Sequence, residues 1–535
     1  MSLTATDPLP ASKLPHRFGA GSPMRQQLKD ALLALSLANL CFISAWFRLL
    51  YGHELGYFKK PVTEASLFAM AANILWLTLV LWLALRALRR FHQPWFHGVA
   101  HFIFFFLLLL PLDFCRREVL HITPQAFINF LRRPIIEAGL FVTALGIAWQ
   151  HRRVARVAAL AVGIFSPFAL FTFARIILVS LNIAHLAEPT TEPPLASLSP
   201  VQPGRPRVIW IIFDETDQRL AFEQRPAGIR LPEFDCLRGE SLFATNAYPP
   251  ADETIMSMPA LISGERITNI TVKGVSDLEV TLADTGKVAL WSQLPSVFAA
   301  ARQLGANTAL EGWYQPYRRI LHNGLNYCNW YPYPGLFPAQ QPTFTSAMLS
   351  QIGCLTSGLQ FERLYGKVCR SMVAESMSLV TNANYGLILL HLPPPHHPGV
   401  YLPDKDRFSI VSQPRVQGYF NNLVLADRSL GKLRAALELT GQWKQTWIIL
   451  SADHSWRRSK MYDGRRDLRV PFLVKPPGMS KSLAYSPQFN TIISHDFILA
   501  ILQGKISSQQ SAVAWLDAHA NLQTPASKEP AYPFE

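Results

Sequence analysis

The sequence lacks the patterns by which proteins commonly bind nucleic acid or a structural zinc ion. Its formal net charge is +14, yet no helix or stripe interleaves basic with aromatic residues, which argues against a nucleic-acid partner. It contains only six cysteines and no Cys-x-x-Cys pair, which argues against a structural zinc site. No internal repeat is visible. The charge therefore needs another explanation, and its distribution along the chain supplies one.

The start of the sequence does not predict a cleavable leader, because the first apolar run follows a long polar stretch without an evident small-residue cleavage site. We interpret this run as an anchor. Long apolar runs fill the first third of the chain, each near the length that crosses a hydrocarbon core of about 30 Å. Five spans are predicted: Ala31–Leu50, Ala65–Leu85, Gly98–Leu112, Pro134–Gln150 and Val157–Ala184.

The Lys and Arg residues between these spans predict their orientation. With the N-terminus in the cytoplasm, the inside segments carry ten basic residues and the outside loops carry six. Cytoplasmic loops are the ones enriched in Lys and Arg, and an odd number of spans then places the C-terminal part outside the cytoplasm. Four cysteines fall in that part, an even number that suits two disulfides, with four free thiols as the alternative. They are Cys236, Cys328, Cys354 and Cys369.

The composition also predicts where the segments of the chain begin and end. A semi-extended spacer is expected at "EPTTEPPLASLSPVQPGRPR", which contains six prolines. The predicted segments are a cytoplasmic tail (1–30), a transmembrane domain (31–184), a Pro-rich linker (185–206), a globular domain (207–522) and a polar tail (523–535).

In the globular part, short apolar runs alternate with helical patterns. Such alternation predicts an α/β domain with a mostly parallel central sheet that is covered on both faces. Two predicted helices lie in "QLPSVFAAARQLG" and "YFNNLVLADRSLGKLRAALELTG". Five predicted strands lie in "RVIWIIFDE", "NTALEGW", "YGLILLH", "TWIILSADH" and "RVPFLVKPP".

Three of these strands end in side chains that can bind a metal. One ends in Asp214 and Glu215, and another in Asp453 and His454. The third strand lies in "YGLILLHLPPPHHP". Three imidazoles fall at or after its end: His391, His396 and His397. Ligands of open parallel sheets bind beyond the carboxyl ends of the strands, and a divalent cation needs oxygen and imidazole ligands that converge there. The pattern therefore predicts a metal site.

The stretch "ADETIMSMPALISG" has two interpretations. Thr254 or Ser257 is an ordinary helix cap, or Thr254 is a nucleophile placed at a helix N-terminus. The stretch alone leaves both open.

In order along the chain, six segments resemble motifs of the alkaline phosphatase superfamily, specifically its sulfatase-like, membrane-anchored transferases. "IIFDET" is similar to the first metal-binding strand and "TIMSMPALISG" to the nucleophile segment. "HLPPPHHP" resembles the loop written H-x-M-G-S-H-G-P in phosphoethanolamine transferases. "LSADH", "RVPFLVKPPG" and "SHDFILAIL" resemble three later motifs. The preceding spans and the Pro-rich linker match the architecture of lipid A phosphoethanolamine transferases and, in outline, of lipoteichoic acid synthase.

This resemblance implies a role for each candidate residue. Thr254 is the attacking hydroxyl, and His396 contacts the phosphoryl group or the leaving oxygen. A divalent metal, zinc or manganese, is held at one site, with a second uncertain. The implied metal ligands are Glu215, Asp453, His454 and, with less support, Asp214, and the implied substrate contacts are His391, His397 and Arg469.

The resemblance also implies a location and a reaction. The expected location is a bacterial inner membrane, with the catalytic domain periplasmic. The expected reaction moves a phospholipid head group, phosphoethanolamine or phosphoglycerol, to an envelope glycan or lipid through a phosphorylated Thr254. A phosphodiesterase or phosphatase on the same scaffold and a non-catalytic glycan-binding protein are the alternatives.

Several departures from the motifs bear on this choice. Sulfatases need Cys or Ser at the nucleophile position for oxidation to formylglycine, so Thr254 argues against an arylsulfatase. Ser455 and Trp456 replace the usual Gly-Glu, and Arg469 replaces a histidine. These losses favour a single metal.

Overall fold

The computed structural model describes residues 23–50, 57–58, 62–90, 93–120, 122, 127, 130–181, 192–201, 204–274, 277–332, 343–356, 360–478 and 481–519. The chain forms two compact units. One consists of Met1–Ile43 and Ala71–Arg175, and the other of Ser44–Met70 and Ile176–Glu535. The predicted tail at 523–535 and most of the predicted tail at 1–30 lie outside the described residues.

The N-terminal part of the chain is helical. A π-helix, Cys115–Val119, follows the fourth helix. The helices are α1 (Pro23–Cys41), α2 (Ile43–Leu50), α3 (Glu64–Arg90), α4 (Pro94–Phe114), α5 (Pro134–Ile164) and α6 (Ser166–Ser180).

Three helical segments are long and apolar enough to cross a membrane, or four if the bent pair α1 and α2 counts as one span. This confirms the prediction of a membrane protein, but the predicted number of five spans is wrong. The last two predicted spans fall in one helical stretch, Pro134–Ser180. Between Gln150 and Val157 there is no Gly or Pro that would end a helix. Helix α5 therefore continues through this stretch, with a kink at Gln150 (φ −103°, ψ 22°). Since the orientation depended on an odd number of spans, it stays a prediction.

The strands all lie in the second unit. Eight of them form a central sheet in the order β14-β2-β13-β12-β1-β9-β7-β8, and the rest form small two- and three-stranded sheets. The strands are β1 (Val208–Phe213), β2 (Leu242–Ala244), β3 (Ala247–Tyr248), β4 (Ile267–Lys273), β5 (Asp277–Leu282), β6 (Val288–Leu290), β7 (Thr308–Trp313), β8 (Tyr327–Tyr331), β9 (Leu387–Leu392), β10 (Tyr401–Leu402), β11 (Arg407–Phe408), β12 (Trp447–Ser451), β13 (Phe472–Lys475), β14 (Leu483–Tyr485) and β15 (Phe489–Asn490).

The central sheet is mostly parallel, as predicted. Strands β12, β1, β9, β7 and β8 run parallel as neighbours, whereas β13 runs antiparallel to both β12 and β2. Each of the five predicted strands is present. Residues of β1 alternate between two hydrophobic cores, Trp210 and Ile212 in one and Ile209 and Ile211 in the other. The sheet is therefore buried on both faces, which explains why its central strands are continuously apolar.

Helices surround this sheet, and both predicted helices are among them. The helices of this unit are α7 (Pro232–Gly239), α8 (Thr254–Ser263), α9 (Val297–Gln303), α10 (Tyr317–Leu321), α11 (Phe344–Gly353), α12 (Gln360–Thr381), α13 (Arg415–Leu439), α14 (Lys460–Asp463), α15 (Ser494–Leu502) and α16 (Gln509–His519).

The described part of the Pro-rich linker is extended, but it is bound to the sheet-containing unit. The Ala196 N–H donates to the Leu325 carbonyl (2.9 Å), and the Ser199 N–H donates to Asn307 Oδ1 (2.8 Å). Trp330 Nε1 donates to Glu192 Oε1 (2.6 Å). The predicted semi-extended spacer is therefore hydrogen-bonded to the sheet-containing unit through Glu192, Ala196 and Ser199.

The four cysteines predicted to form two disulfides are free thiols. They lie on different elements: Cys236 on α7, Cys328 on β8, Cys354 just after α11 and Cys369 on α12. Cys236 instead contacts the Arg434 guanidinium. The even number of cysteines was consequently no guide to pairing.

Candidate active site

The register of the central sheet brings the predicted metal ligands together. Ile212 of β1 pairs with Ser451 of β12 on one side and with His391 of β9 on the other. The residues that follow these strands, Asp214 and Asp453, therefore leave the sheet at the same edge. This edge is formed by the carboxyl ends of parallel strands, where ligands of such sheets bind.

Asp214, Asp453 and His454 form a buried group whose ligand atoms all lie within 4.8 Å of one another. His454 Nε2 lies 3.6 Å from Asp214 Oδ1 and 3.6 Å from Asp453 Oδ2. Neither of these oxygens has a hydrogen-bond partner among the described atoms. The other ring nitrogen, Nδ1, donates to the Ser455 carbonyl (3.0 Å), which turns the Nε2 lone pair toward the carboxylates. Two buried carboxylates and an imidazole lone pair are a donor set that fits a divalent cation.

The two carboxylates of this group have pKa values displaced in opposite directions. Burial, followed by the negative charges of Asp453 and Glu215, raises the pKa of Asp214 well above its ordinary value. Burial also acts to raise the pKa of Asp453, but the His454 and His391 imidazoles and the Thr254 hydroxyl outweigh it and lower that pKa. Of the two carboxylates, Asp214 is consequently the one that holds a proton more tightly, and a cation bound between them would displace that proton.

Thr254 begins α8 and directs its hydroxyl at this group. Its Oγ1 lies 3.3 Å from His454 Nε2, and its side chain is not a helix cap, since the N-cap residue is Glu253. Ser257 instead stabilises the chain just before the helix, because its hydroxyl donates to the Ala251 carbonyl (2.8 Å) and accepts from the Ala251 N–H (3.2 Å). The geometry therefore argues against the cap interpretation, and the role of Thr254 as a nucleophile stays a prediction.

Glu215 belongs to a second group, with His396 and His397. The predicted ligands thus divide between two groups of the described residues, where the motif losses had favoured one metal. Arg457 Nε lies 3.6 Å from Glu215 Oε1 and supplies positive charge there. Burial lowers the pKa of His396 and, more strongly, that of His397, so both imidazoles are neutral near pH 7.

The loop that carries these histidines is held by buried hydrogen bonds. Tyr365 and Asn422 both donate to the His396 carbonyl, at 2.6 and 2.8 Å. His396 Nδ1 donates to the His397 carbonyl (2.7 Å), and its ring packs edge-on against Trp313. The orientation of His396 is therefore fixed both at its backbone carbonyl and at its ring.

Glu215 adopts a left-handed backbone conformation, with φ of +65°. A non-glycine residue in this region stores strain that its surroundings must stabilise. The Tyr419 hydroxyl donates to the Glu215 carbonyl (3.0 Å), and the Tyr419 ring stacks on Trp456 at 3.9 Å. Trp456, which departs from the family motif, thus supports the segment that carries Glu215.

The remaining predicted site residues, His391 and Arg469, have other surroundings. His391 is fully buried at the end of β9, and its Nδ1 lies 2.7 Å from the Tyr317 hydroxyl. Burial lowers its pKa to about 4, so the ring is neutral. Arg469 pairs with Asp467 and with both oxygens of Glu223. Neither residue belongs to the two cation groups, and a substrate contact for either stays a prediction.

Three residues around the site were missed from the sequence, Gln315, Tyr317 and Arg457, and Trp456 was noted only as a departure from the motif. Gln315 and Tyr317 follow the end of β7, where no carboxylate or imidazole marks the strand end. The signal that could have found them is the strand end itself, because β7 is parallel to β9 and ends at the same edge.

The raised pKa of Asp214 predicts that metal binding depends on pH. The cation must displace a proton, so we expect its affinity, measured from pH 6 to 8, to rise with pH, by at most about tenfold per unit for one released proton. Competition against a chelator at each pH measures this affinity, using the full-length protein in detergent. An affinity that stays constant across this range would show that the site binds metal without releasing a proton.

Comparisons with known proteins agree with this fold. A family model described as "Sulfatase" matches residues 206–503, more than half of the chain. Solved structures similar to this chain include three of low identity. A phosphonate monoester hydrolase of Agrobacterium radiobacter is 12% identical, with a TM-score of 0.36, over 56% of this chain and 74% of that one. A sulfatase from Pseudoalteromonas sp. is 14% identical, with a TM-score of 0.38, over 56% of this chain and 68% of that one.

The third is an alkaline phosphatase superfamily protein from Vibrio parahaemolyticus, 14% identical with a TM-score of 0.37, over 59% of this chain and 71% of that one. No curated protein matches the sequence. Since these TM-scores are below 0.5, family membership rests on the family model.

Proposed function

Because the chain belongs to the sulfatase family, whose enzymes are metal-dependent hydrolases, we propose that it is a membrane-anchored phosphotransferase. It takes the head group of a membrane phospholipid, phosphoethanolamine or phosphoglycerol, onto Thr254 and passes it to an envelope glycan or lipid. The proposed setting is a bacterial inner membrane, with the catalytic domain on the periplasmic side.

One observation carries the proposal: the Thr254 hydroxyl lies 3.3 Å from His454 Nε2, beside two buried carboxylates and at a helix N-terminus. A threonine cannot be oxidised to the formylglycine of sulfatases. Its hydroxyl suits covalent transfer of a phosphoryl group instead, because such an intermediate divides a difficult displacement into two easier steps. A phospholipid donor is also consistent with a chain that carries membrane-spanning helices.

In the proposed first step, Thr254 Oγ1 forms a bond to phosphorus while the bond from phosphorus to the glycerol oxygen breaks. The hydroxyl proton leaves Thr254 and ends on the released diacylglycerol. His396, fixed in orientation and neutral, is the group proposed to contact the leaving oxygen. In the second step, an acceptor oxygen attacks the same phosphorus and regenerates the Thr254 hydroxyl.

Asp214, Asp453 and His454 would hold a metal. Glu215 lies in the second group, where His396 Nε2 is the ring nitrogen proposed to contact the leaving oxygen because Nδ1 donates to the His397 carbonyl. A divalent cation supplies Lewis acidity, lowering the pKa of a hydroxyl and neutralising the charge on phosphoryl oxygens. Oxygen and imidazole donors suit zinc and manganese, which are the proposed metals. The Arg457 guanidinium adds a further positive charge for the phosphate.

The intact mass of full-length protein after incubation with phospholipid tests the proposal. We expect an increment equal to phosphoethanolamine or phosphoglycerol, with an equal amount of diacylglycerol released, and the increment names the donor. A protein that contains its metal but forms no adduct and releases no diacylglycerol with either lipid would refute the transferase.

A hydrolase is the second candidate, and family membership itself favours it. A phosphodiesterase shares the first step and differs only in using water as the acceptor. Continuous release of free phosphoethanolamine or phosphoglycerol without an added acceptor would identify this activity. A non-catalytic glycan-binding protein would do neither.

A further inference from the structure

The sheet-containing unit includes a short piece of chain that lies between the first two long helices. Tyr57 and Phe58, between α2 and α3, are in the same compact unit as β1 to β15. Tyr57 is fully buried and Phe58 nearly so, and both belong to the hydrophobic core that contains Trp210 of β1. This core is therefore completed by residues that precede β1 by about 150 positions.

A chain of buried hydrogen bonds leads from Tyr57 to the proposed nucleophile. The Tyr57 hydroxyl donates to Gln315 Oε1 (2.7 Å), and Gln315 Nε2 donates to the Thr254 backbone carbonyl (3.4 Å). Gln315 is fully buried. Burial raises the pKa of Tyr57 well above its ordinary value, so its hydroxyl keeps the proton that it donates.

Tyr57 is itself fixed by its neighbours. Its carbonyl accepts a hydrogen bond from Arg319 Nη1 (3.1 Å), and its ring meets Phe58 edge-on at 5.0 Å. Phe58 in turn packs against Tyr314, which has φ of +71° immediately before Gln315. Tyr314 is thus a strained residue next to Gln315, and such a residue needs its neighbours to stabilise it. The orientation of the Gln315 side-chain amide consequently depends on these neighbours.

The Tyr57 hydroxyl helps to fix the direction of the Gln315 amide. A primary amide presents an acceptor on one side and donors on the other, so the hydroxyl that donates to Oε1 also turns Nε2 toward the Thr254 carbonyl. That carbonyl belongs to the first residue of α8, the residue whose side chain faces His454. A shift of this residue displaces the attacking oxygen.

We propose that Tyr57 is a positioning residue for the reaction: through Gln315, it holds the first residue of α8 so that the Thr254 hydroxyl faces His454. This inference rests on the proposed function, because it takes Thr254 as the nucleophile. It implies that the site is complete only when Tyr57 and Phe58 are docked in the core. A catalytic fragment that starts after the Pro-rich linker lacks this contact.

The substitution Tyr57→Phe tests the proposal in the full-length protein. It removes one hydroxyl and keeps the ring, so we expect kcat to fall about tenfold, with KM changed by less than about twofold. The matched control is Tyr485→Phe, because Tyr485 is also buried and donates to a side chain, Asp517 Oδ1, at 3.0 Å. We expect the control to keep its kcat.

A second variant separates positioning from a general loss of stability. In a Gln315→Met background the hydrogen-bond chain is already broken, so adding Tyr57→Phe should lower kcat no further. Two losses that multiply, or a Tyr57→Phe variant with unchanged kcat, would overturn the proposal.

Hydrogen exchange gives a measurement that does not need turnover. The Met256 and Ser257 amides, which bond to the Glu253 carbonyl, should exchange about tenfold faster in Tyr57→Phe than in Tyr485→Phe. Equal exchange in the two variants would refute the role of Tyr57. If the unsubstituted protein neither transfers nor hydrolyses any donor, the proposed function fails, and the exchange rates alone then decide whether Tyr57 positions α8.

Discussion

Replacing Thr254 by alanine is expected to abolish the covalent adduct and to lower turnover by about 10⁴-fold or more, because the reaction loses its nucleophile. Thr254→Ser keeps a hydroxyl at the same place and should retain part of the activity and the adduct. Intact mass with phospholipid and the rate of diacylglycerol release measure both effects.

The control for this experiment is Ser257→Ala in the same helix. The Ser257 hydroxyl bonds only to the Ala251 backbone among the contacts described, so its loss should lower stability by about 1 kcal/mol and leave the adduct in place. If Thr254→Ala still forms the adduct, or if Ser257→Ala abolishes it, Thr254 is not the attacking residue.

Replacing Asp453 by asparagine should have the second large effect, a loss of metal affinity of at least about 100-fold accompanied by loss of turnover. The substitution removes the negative charge that faces His454 Nε2. It leaves a carbonyl oxygen to accept the N–H groups of His454 (2.9 Å) and Glu215 (3.3 Å), so the loop is expected to keep its fold. The metal content of the purified protein and chelator competition measure the loss.

Asp463→Asn is the matched control for Asp453→Asn. Asp463 pairs with Arg219 at 2.5 Å and lies outside both cation groups. It should cost stability without removing metal. Full metal occupancy in Asp453→Asn, confirmed at limiting metal concentration, would exclude Asp453 as a ligand.

Much of the central sheet was predictable because its strands are buried on both faces. Continuous apolar runs such as "VIWIIF" are typical of strands buried on both faces of a sheet. The position of Asp214 and Asp453 at strand ends then followed from the parallel arrangement. By contrast, β2 and β14 are three residues long, and each obtains its partners from distant parts of the chain. No local pattern marks such strands.

The division of the predicted ligands into two groups was not predictable either. It depends on the direction in which Glu215 points, and that direction is set by its positive φ and by Tyr419 and Trp456. Adjacent residues in an extended strand point to opposite sides, but the strand ends before Asp214. Sequence identifies which side chains reach the edge of the sheet, whereas packing from α13 decides which of them share a cation.

The number of membrane spans was mispredicted for a related reason. Basic residues at Arg152, Arg153 and Arg156 were read as a loop between two spans, yet nothing in their backbone preference ends a helix. A charged stretch shows where a chain prefers water. It does not show that the helix stops there.

The sheet-containing unit is built from two separated stretches of chain, Ser44–Met70 and Ile176–Glu535. The ribosome synthesises about 5 to 20 residues per second, so Tyr57 emerges tens of seconds before Gln315, its hydrogen-bonding partner. During that interval Tyr57 and Phe58 lack the core residues against which they pack in the finished unit. The core of this unit can therefore be completed only late in synthesis, when its C-terminal part meets two aromatic residues made near the start.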